Sequence, residues 1–407
     1  MSRYKLSRNI AIQEPDAADP EYLPEAYRRG YFVLYHKSRD REYLINETVR
    51  YFIGKFSTPK NLETIISEVA DDVRSESSLV SDTCTSFVRF LRKRRFIIPE
   101  DEEELELTTE PCYVAGSSIN QYQITDVLVC KRTIDIYRAV DSASGQKVVI
   151  KLLNRKKIRR DRSFLKERDY LEREFLFLRK MDGNSAVCQA IAFEEDQQGQ
   201  PFIVLELIEG EAIFRGIAEQ PQISIQNILG VFSRMLNAFA SLHAAGIVHG
   251  DVHSGNVLVT EDGSVRLIDL GLSISEHIEE KQVVKHGGVD YYMPPERINT
   301  TTLNKFAKGP SFASDVYQVG LIMYVILYDE FPFDGFTWEE LSASIKGASI
   351  DFPLHSDSGD PVPYYLIEVI RKSLQKDPQA RFKDAGEMQA AFLQGLSQTK
   401  VPALANA

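Results

Sequence analysis

His249-Gly250-Asp251-Val252-His253-Ser254-Gly255-Asn256-Val257-Leu258, followed after a turn at Asp262-Gly263 by Leu267-Ile268-Asp269-Leu270-Gly271, decides how this chain is read. Two carboxylates and an amide fall on two short loops, each beside an apolar run. Such groups are hard oxygen donors, the kind Mg²⁺ takes when it bridges phosphate oxygens. Asn256 and Asp269 offer one neutral and one anionic oxygen. Asp251 can accept a hydroxyl proton or orient that hydroxyl for in-line attack. Upstream, Val148-Val149-Ile150-Lys151 sets an ammonium among β-branched residues, where it must snorkel or find an anion. Glu174 lies between Leu171, Phe175 and Leu178 on a charged helix, so it can turn inward and meet Lys151. Lys151 then suits phosphate as a point charge, with Glu174 fixing it in place. Singly, each residue reads as a loop cap or a solvated charge; the set in this order points to phosphoryl transfer.

The chain has 407 residues, with 48 Lys and Arg against 59 Asp and Glu, a net charge of −11. At about 150 residues per domain, that length suggests two domains or three. The acidic balance disfavours nucleic acid and anionic membrane as general partners. The longest apolar run, Val319 to Tyr328, is too short to cross a bilayer, and Met1 to Gln13 lacks the apolar core of a secretory signal. Cys84, Cys112, Cys130 and Cys188 have no C-x-x-C spacing, which argues against a zinc site or a disulfide framework. The expectation is a soluble cytoplasmic protein of open oligomeric state.

Along the chain, residues 1–25 read as a flexible arm and 26–99 as a small mixed domain. In that domain Tyr31 to Tyr35 and Arg41 to Ile45 read as strands. Asn46 suits the N-cap of a helix carrying Val49, Phe52 and Ile53. Further helices carry Leu62, Ile65, Ile66 and Val69, then Phe87, Phe90 and Leu91, and Phe96-Ile97-Ile98 returns as a strand. Residues 100–120 open with Glu100 to Glu106, whose like charges extend a linker. Strands dominate 121–207, helices dominate 208–397, and 398–407 is a tail.

These residues resemble the signature set of protein kinases, over about Tyr122 to Gly395. Lys151 matches the third-strand lysine and Glu174 its helix partner. Asp251 matches the catalytic base, Asn256 and Asp269 the metal ligands. Tyr292-Met293-Pro294-Pro295-Glu296 resembles the end of an activation segment, Ser314-Asp315-Val316-Tyr317 the start of the buried helix that anchors the catalytic loop, and Arg381 the partner of Glu296. The resemblance implies an α+β, two-lobed fold with ATP and Mg²⁺ in the cleft. It places the adenine edge along Glu206 to Ile208, with Val149 and Leu258 in the nucleotide pocket.

The departures from the family pattern are specific. Val129, Lys131 and Ile134 occupy the three glycine positions of the phosphate loop, where side chains hold the backbone off phosphate. Lys131, Arg132 and Thr133 either compensate by charge and hydroxyl contact or form a solvated hairpin tip. Val149 replaces a smaller alanine. Gly250 replaces the arginine that receives an activation-loop phosphate, leaving Ser273 and Ser275 as candidate targets of modification. His253 replaces the lysine that contacts the transferred phosphate; the string His249 to His253 resembles small-molecule phosphotransferases of the aminoglycoside and choline type. A packed or capping His253 is the plain alternative. Pro294-Pro295-Glu296 and Asp315 favour a protein substrate, and a non-catalytic pseudokinase scaffold is the third reading.

The front domain resembles the winged-helix-like PqqD fold, on Tyr43-Leu44-Ile45-Asn46-Glu47-Thr48, Leu62 to Val69 and Phe87-Val88-Arg89-Phe90-Leu91. That resemblance implies a peptide partner added as a strand to a sheet edge, with Phe32 and Leu34 near the groove. A generic domain that packs or dimerises is the alternative. Basic Arg92 to Arg95 would suit DNA, but the acidic run beginning at Glu100 opposes it.

Overall fold

The computed structural model describes residues 2–13, 31–36, 41–102, 110–130, 133–158, 161–218, 224–275, 289–298, 309–335 and 338–399. The chain forms two compact units, one over Met1–Glu110 with Cys130–Arg132 and one over Pro111–Val129 and Thr133–Ala407.

The first unit opens with β1 (Tyr4–Leu6) and β2 (Ile10–Gln13), where the sequence suggested an arm. β2, β3 (Tyr31–His36) and β4 (Arg41–Asn46) form an antiparallel sheet in that order, with Leu34 opposite both Ile12 and Tyr43. Asn46 caps α1 (Glu47–Gly54), its side chain accepting from Val49 N at 3.0 Å. Asn61 caps α2 (Leu62–Asp72) the same way at 2.8 Å. After α3 (Ser77–Lys93), β5 (Ile97–Pro99) returns to pair with β1, Tyr4 facing Pro99. The two N-terminal strands are too short to show a period, and their partners are remote in sequence. Their pairing is therefore tertiary information.

Phe32, Leu34, Ile45, Phe52, Ile65, Leu91 and Phe96 form the core of this unit. Phe52 and Phe87 stack with ring centroids 4.2 Å apart. Phe32 and Leu34 are thus interior packing residues. Of the expected linker over 100–120, the run 103–109 lies outside the described residues, and Pro111 onward groups with the second unit. Cys112 N donates to the buried Asp135 carboxylate at 2.9 Å, and Tyr113 N to the Tyr137 hydroxyl at 3.1 Å.

The second unit begins with a sheet. Its strands are β6 (Ser118–Ile119), β7 (Tyr122–Cys130), β8 (Ile134–Asp141), β9 (Lys147–Leu153), β10 (Ala190–Glu195) and β11 (Pro201–Glu206), in spatial order β10-β11-β9-β8-β7-β6. α4 (Asp161–Lys180) lies between β9 and β10 in sequence. Lys151 pairs with Ile136 on one side and Ile203 on the other, so the third strand is flanked by apolar strands. The rest is largely helical: β12 (Gly210–Ala212), α5 (Ile213–Ala218), α6 (Ile225–Ala244), β13 (Ile247–Val248), β14 (Val257–Thr260), β15 (Val265–Leu267), β16 (Ile274–Ser275), α7 (Phe312–Tyr328), α8 (Trp338–Gly347), α9 (Tyr364–Ser373) and α10 (Ala385–Thr399). α7 starts with a reciprocal Ser311–Ser314 capping box and is buried on nearly every face, as a helix apolar all round must be. The apolar run from Val319 is thus core. No described helix is long and apolar enough to cross a membrane.

Candidate active site

The centre of the site is a buried ammonium. Lys151 Nζ donates to Glu174 at 2.7 and 2.9 Å and to Asp269 Oδ1 at 2.9 Å. Strand β9 supplies the lysine from between two apolar strands, and α4 supplies the glutamate from its inward face. Burial alone would lower the lysine's pKa, but Asp269 and Glu174 more than offset it and hold it above the ordinary value. Asp269 adopts φ +59°, a left-handed conformation uncommon for a side-chain-bearing residue. Gly271 follows because a Cβ there would stand 2.9 Å from Asp269 Oδ1 and 3.1 Å from Glu174 Oε2. Only a bare backbone fits against the charged cluster.

The loop carrying Asp251 is anchored from below by α7. Asp315, fully buried, accepts from His249 N at 2.6 Å, Gly250 N at 3.0 Å and the His243 Nε2 side at 3.1 Å. His243 Nδ1 in turn accepts from Ala385 N at 2.9 Å, so α6, α7 and α10 meet at this carboxylate. His249 is buried, and burial pulls its pKa below the ordinary value. Its Nδ1 accepts from Asp251 N at 3.3 Å, which requires the neutral ring.

Asn256 Nδ2 donates to Asp251 O at 2.9 Å, and Ile268 N donates to Asn256 O at 3.0 Å. These two bonds tie the loop of Asp251 to the loop of Asp269. His253 caps the short turn Ser254–Asn256, accepting from Gly255 N at 3.2 Å, while its Nε2 stands 3.9 Å from Asp251 Oδ2. It both caps and faces the carboxylate.

Gly250 has φ +80°, and a Cβ would meet Leu272 O at 2.7 Å. The missing arginine is therefore a steric necessity of this loop. Gly250→Arg is expected to destabilise the chain by roughly 1–2 kcal/mol and to add no activity, because the left-handed cost and the clash come together. A lower urea midpoint checks this; an unchanged midpoint would remove the steric account. Ser273, expected as a modification target, is buried and donates its hydroxyl to His249 O at 2.9 Å. It is a structural hydroxyl. Ser275 lies on β16 opposite Ile247.

The other expected nucleotide residues are distributed as follows. Val149 on β9, Leu258 on β14 and Ile208 after β11 are half-buried. Glu206 has its side chain committed elsewhere: it accepts from Gln189 N at 2.7 Å and pairs with Arg266. Any adenine contact at Glu206 is thus a main-chain contact. Thr133 O accepts from Asn154 N at 2.8 Å, while Lys131 and Arg132 lie outside the described residues. A cavity of about 640 Å³ is lined by Leu207, Ile208 and Gly210 together with Arg138 and Lys147, and excludes Lys151 and Asp269. Arg381 binds Glu296 at 2.8 and 2.7 Å and spends its remaining donors on the carbonyls of Ala313, Gln375 and Lys376.

Residues 133–393 match the family model described as "Protein kinase domain". The chain belongs to the protein kinase family. Among similar curated proteins is the serine/threonine-protein kinase PknL of Mycobacterium tuberculosis, 26% identical over 275 residues, covering 67% of this chain and 64% of PknL. Another is the serine/threonine-protein kinase PrkC of Bacillus subtilis, 26% identical over 273 residues, covering 66% of this chain and 40% of PrkC. A third is the serine/threonine-protein kinase STK11 of Gallus gallus, 25% identical over 284 residues, covering 69% of this chain and 61% of that protein. The chain thus spans less than two thirds of the length of these kinases.

Seen as a kinase domain, the donor set suits a phosphate-borne Mg²⁺. Among the described residues no cluster of three or more His, Cys, Asp or Glu forms a metal cage. Mg²⁺ held mainly by phosphates and water needs only one or two protein oxygens. Asn256 commits its amide nitrogen to Asp251 O, so its side-chain oxygen is the atom with which it would hold a metal. Buried Arg297 and half-buried Arg266 escaped the sequence reading. Arg297 donates Nη1 to Gly250 O at 3.0 Å, and Arg266 pairs with Glu206. Their only sequence signal is a charge beside apolar neighbours, which a solvated face would also give.

Proposed function

We propose that this kinase domain transfers the γ-phosphate of ATP to a Ser or Thr hydroxyl of a protein. The observation that carries the reading is Lys151 held by both Glu174 and Asp269 at 2.7–2.9 Å. That contact sets a fixed ammonium beside the metal-type carboxylate. In this reading Lys151 binds the phosphates, Glu174 fixes its position, and Asn256 and Asp269 hold Mg²⁺. The metal, when bound, neutralises charge on the transferring phosphate. Asp251 orients the acceptor hydroxyl and takes its proton, and His253 stands close enough to Asp251 to hold the carboxylate's position. The names of PknL, PrkC and STK11 support Ser or Thr as acceptor.

His253 and Gly250 favour a second reading, transfer to a small hydroxyl compound. Incubation with γ-labelled ATP and Mg²⁺, lysate proteins and a panel of amino alcohols and sugars separates the two. Label on protein Ser or Thr is the expected result; label confined to small molecules, or none, overturns it.

The first unit, in the same reading, recruits the acceptor peptide as an added strand. Among the described residues its sheet ends on β2 at one side and β4 at the other, and such edges present ladder groups for pairing. A photo-crosslinker at Ile12 on β2 is expected to capture an acceptor peptide, and crosslinking no stronger than at exposed Leu79 on α3 would end this part.

A further inference from the structure

We propose that Arg297 is a positioning residue for the loop of Asp251, acting through the carbonyl of Gly250. The inference rests on the phosphotransfer reading above and adds a residue that reading does not use. Arg297 directly follows Pro294-Pro295-Glu296, and its side chain is only 1% exposed. Its Nη1 donates to Gly250 O at 3.0 Å, the peptide oxygen immediately before Asp251. On the opposite side of the same residue, Gly250 N donates to Asp315 Oδ1 at 3.0 Å. The main chain entering Asp251 is thus gripped twice, by a carboxylate from α7 and by a guanidinium from the segment after Glu296.

Physical chemistry gives this grip a purpose. A guanidinium taken wholly out of water is costly unless anions compensate it. The anions acting on Arg297 are Asp315, Asp251 and Glu296. Two of them belong to the loop and its anchor. Gly250 itself can carry no side chain, because a Cβ would strike Leu272 O at 2.7 Å. A cation serving this point of the loop therefore has to arrive from another segment, and Arg297 does. Its planar fork fixes direction as well as charge, which an ammonium does less well. Removing it would leave the Gly250 carbonyl without that donor and let the Asp251 peptide drift. Misplacement by about 1 Å is enough to cost on the order of 100-fold in rate.

The test is steady-state kinetics of the full chain with casein as a generic acceptor, comparing wild type with Arg297→Met, Arg297→Gln and Arg297→Lys. Circular dichroism confirms which variants are folded at the assay temperature, and a fluorescent ATP analogue reads nucleotide affinity. Arg297→Met is expected to lower kcat by about 10–100-fold while KM for ATP stays within about threefold. Arg297→Lys should recover most of that loss, and Arg297→Gln, a donor without charge, less. Should Met not fold, the Lys against Gln comparison decides alone. Lysine no better than glutamine, or a rate loss matched by an equal loss of nucleotide affinity, overturns the proposal. Equal activity in an active wild type and Arg297→Met overturns it too and leaves the phosphotransfer reading standing. A wild type with no transfer at all overturns both.

Discussion

Asp251→Asn is expected to lower phosphate transfer by about 10²–10⁴-fold while leaving nucleotide binding and folding nearly intact. The expectation of intact folding comes from how Asp251 is held. Its carbonyl accepts from Asn256 Nδ2 at 2.9 Å, and its N–H donates to His249 Nδ1 at 3.3 Å. Both bonds are main-chain bonds that an amide side chain does not disturb. What the substitution removes is a carboxylate able to take a proton, facing His253 Nε2 at 3.9 Å, and with it one of the three anions acting on Arg297, whose other two remain. The rate should therefore fall without a matching rise in KM for ATP, the pattern of an interaction made only in the transition state. Label incorporation measured against titrated ATP gives both numbers, and an unchanged kcat would end the reading of Asp251 as base.

Asp315→Asn is expected to do broader damage, on the order of 3 kcal/mol in stability together with loss of activity. The carboxylate accepts on both oxygens, from His249 N and His243 on one and from Gly250 N on the other. An amide keeps one oxygen and turns an N–H₂ toward a donor at the other end. One buried N–H is then left unbonded if the amide nitrogen faces Gly250, and two if it faces His249 and His243. His243 ties this point to Ala385, so the defect reaches the start of α10 as well. Urea unfolding followed by tryptophan fluorescence measures the loss; a midpoint equal to wild type would show that the anchor carries little of the fold.

Legibility in the sequence followed the range of the interactions. Asn46 and Asn61 cap their helices through bonds three residues long, and the Asn46 cap was read directly. The Lys151–Glu174 pair was legible because each charge sits in a strongly periodic apolar context, which leaves it a single inward direction. Asp315 and Arg381 entered through resemblance, since nothing local marks them. The strand at Tyr4–Leu6 was missed because its partner, Ile97–Pro99, lies at the far end of the unit. Ser273 read as a candidate modification target because its bond to His249 O exists only once the two loops meet. Arg297 was invisible for the same reason, a buried cation being indistinguishable in sequence from a solvated one. Glu206 ends β11, and its side chain turns to Gln189 and Arg266.

Asp135 has a practical bearing on anyone trimming this molecule. Its buried carboxylate gathers Cys112 N, the Tyr137 hydroxyl, Asn154 Nδ2 and the Lys157 ammonium. A shortened version beginning at Tyr122, where regular strands first look convincing, would strip one donor from that knot and uncover the rest. Shortened catalytic pieces should keep Pro111 onward, because the last few residues before the sheet are its lid.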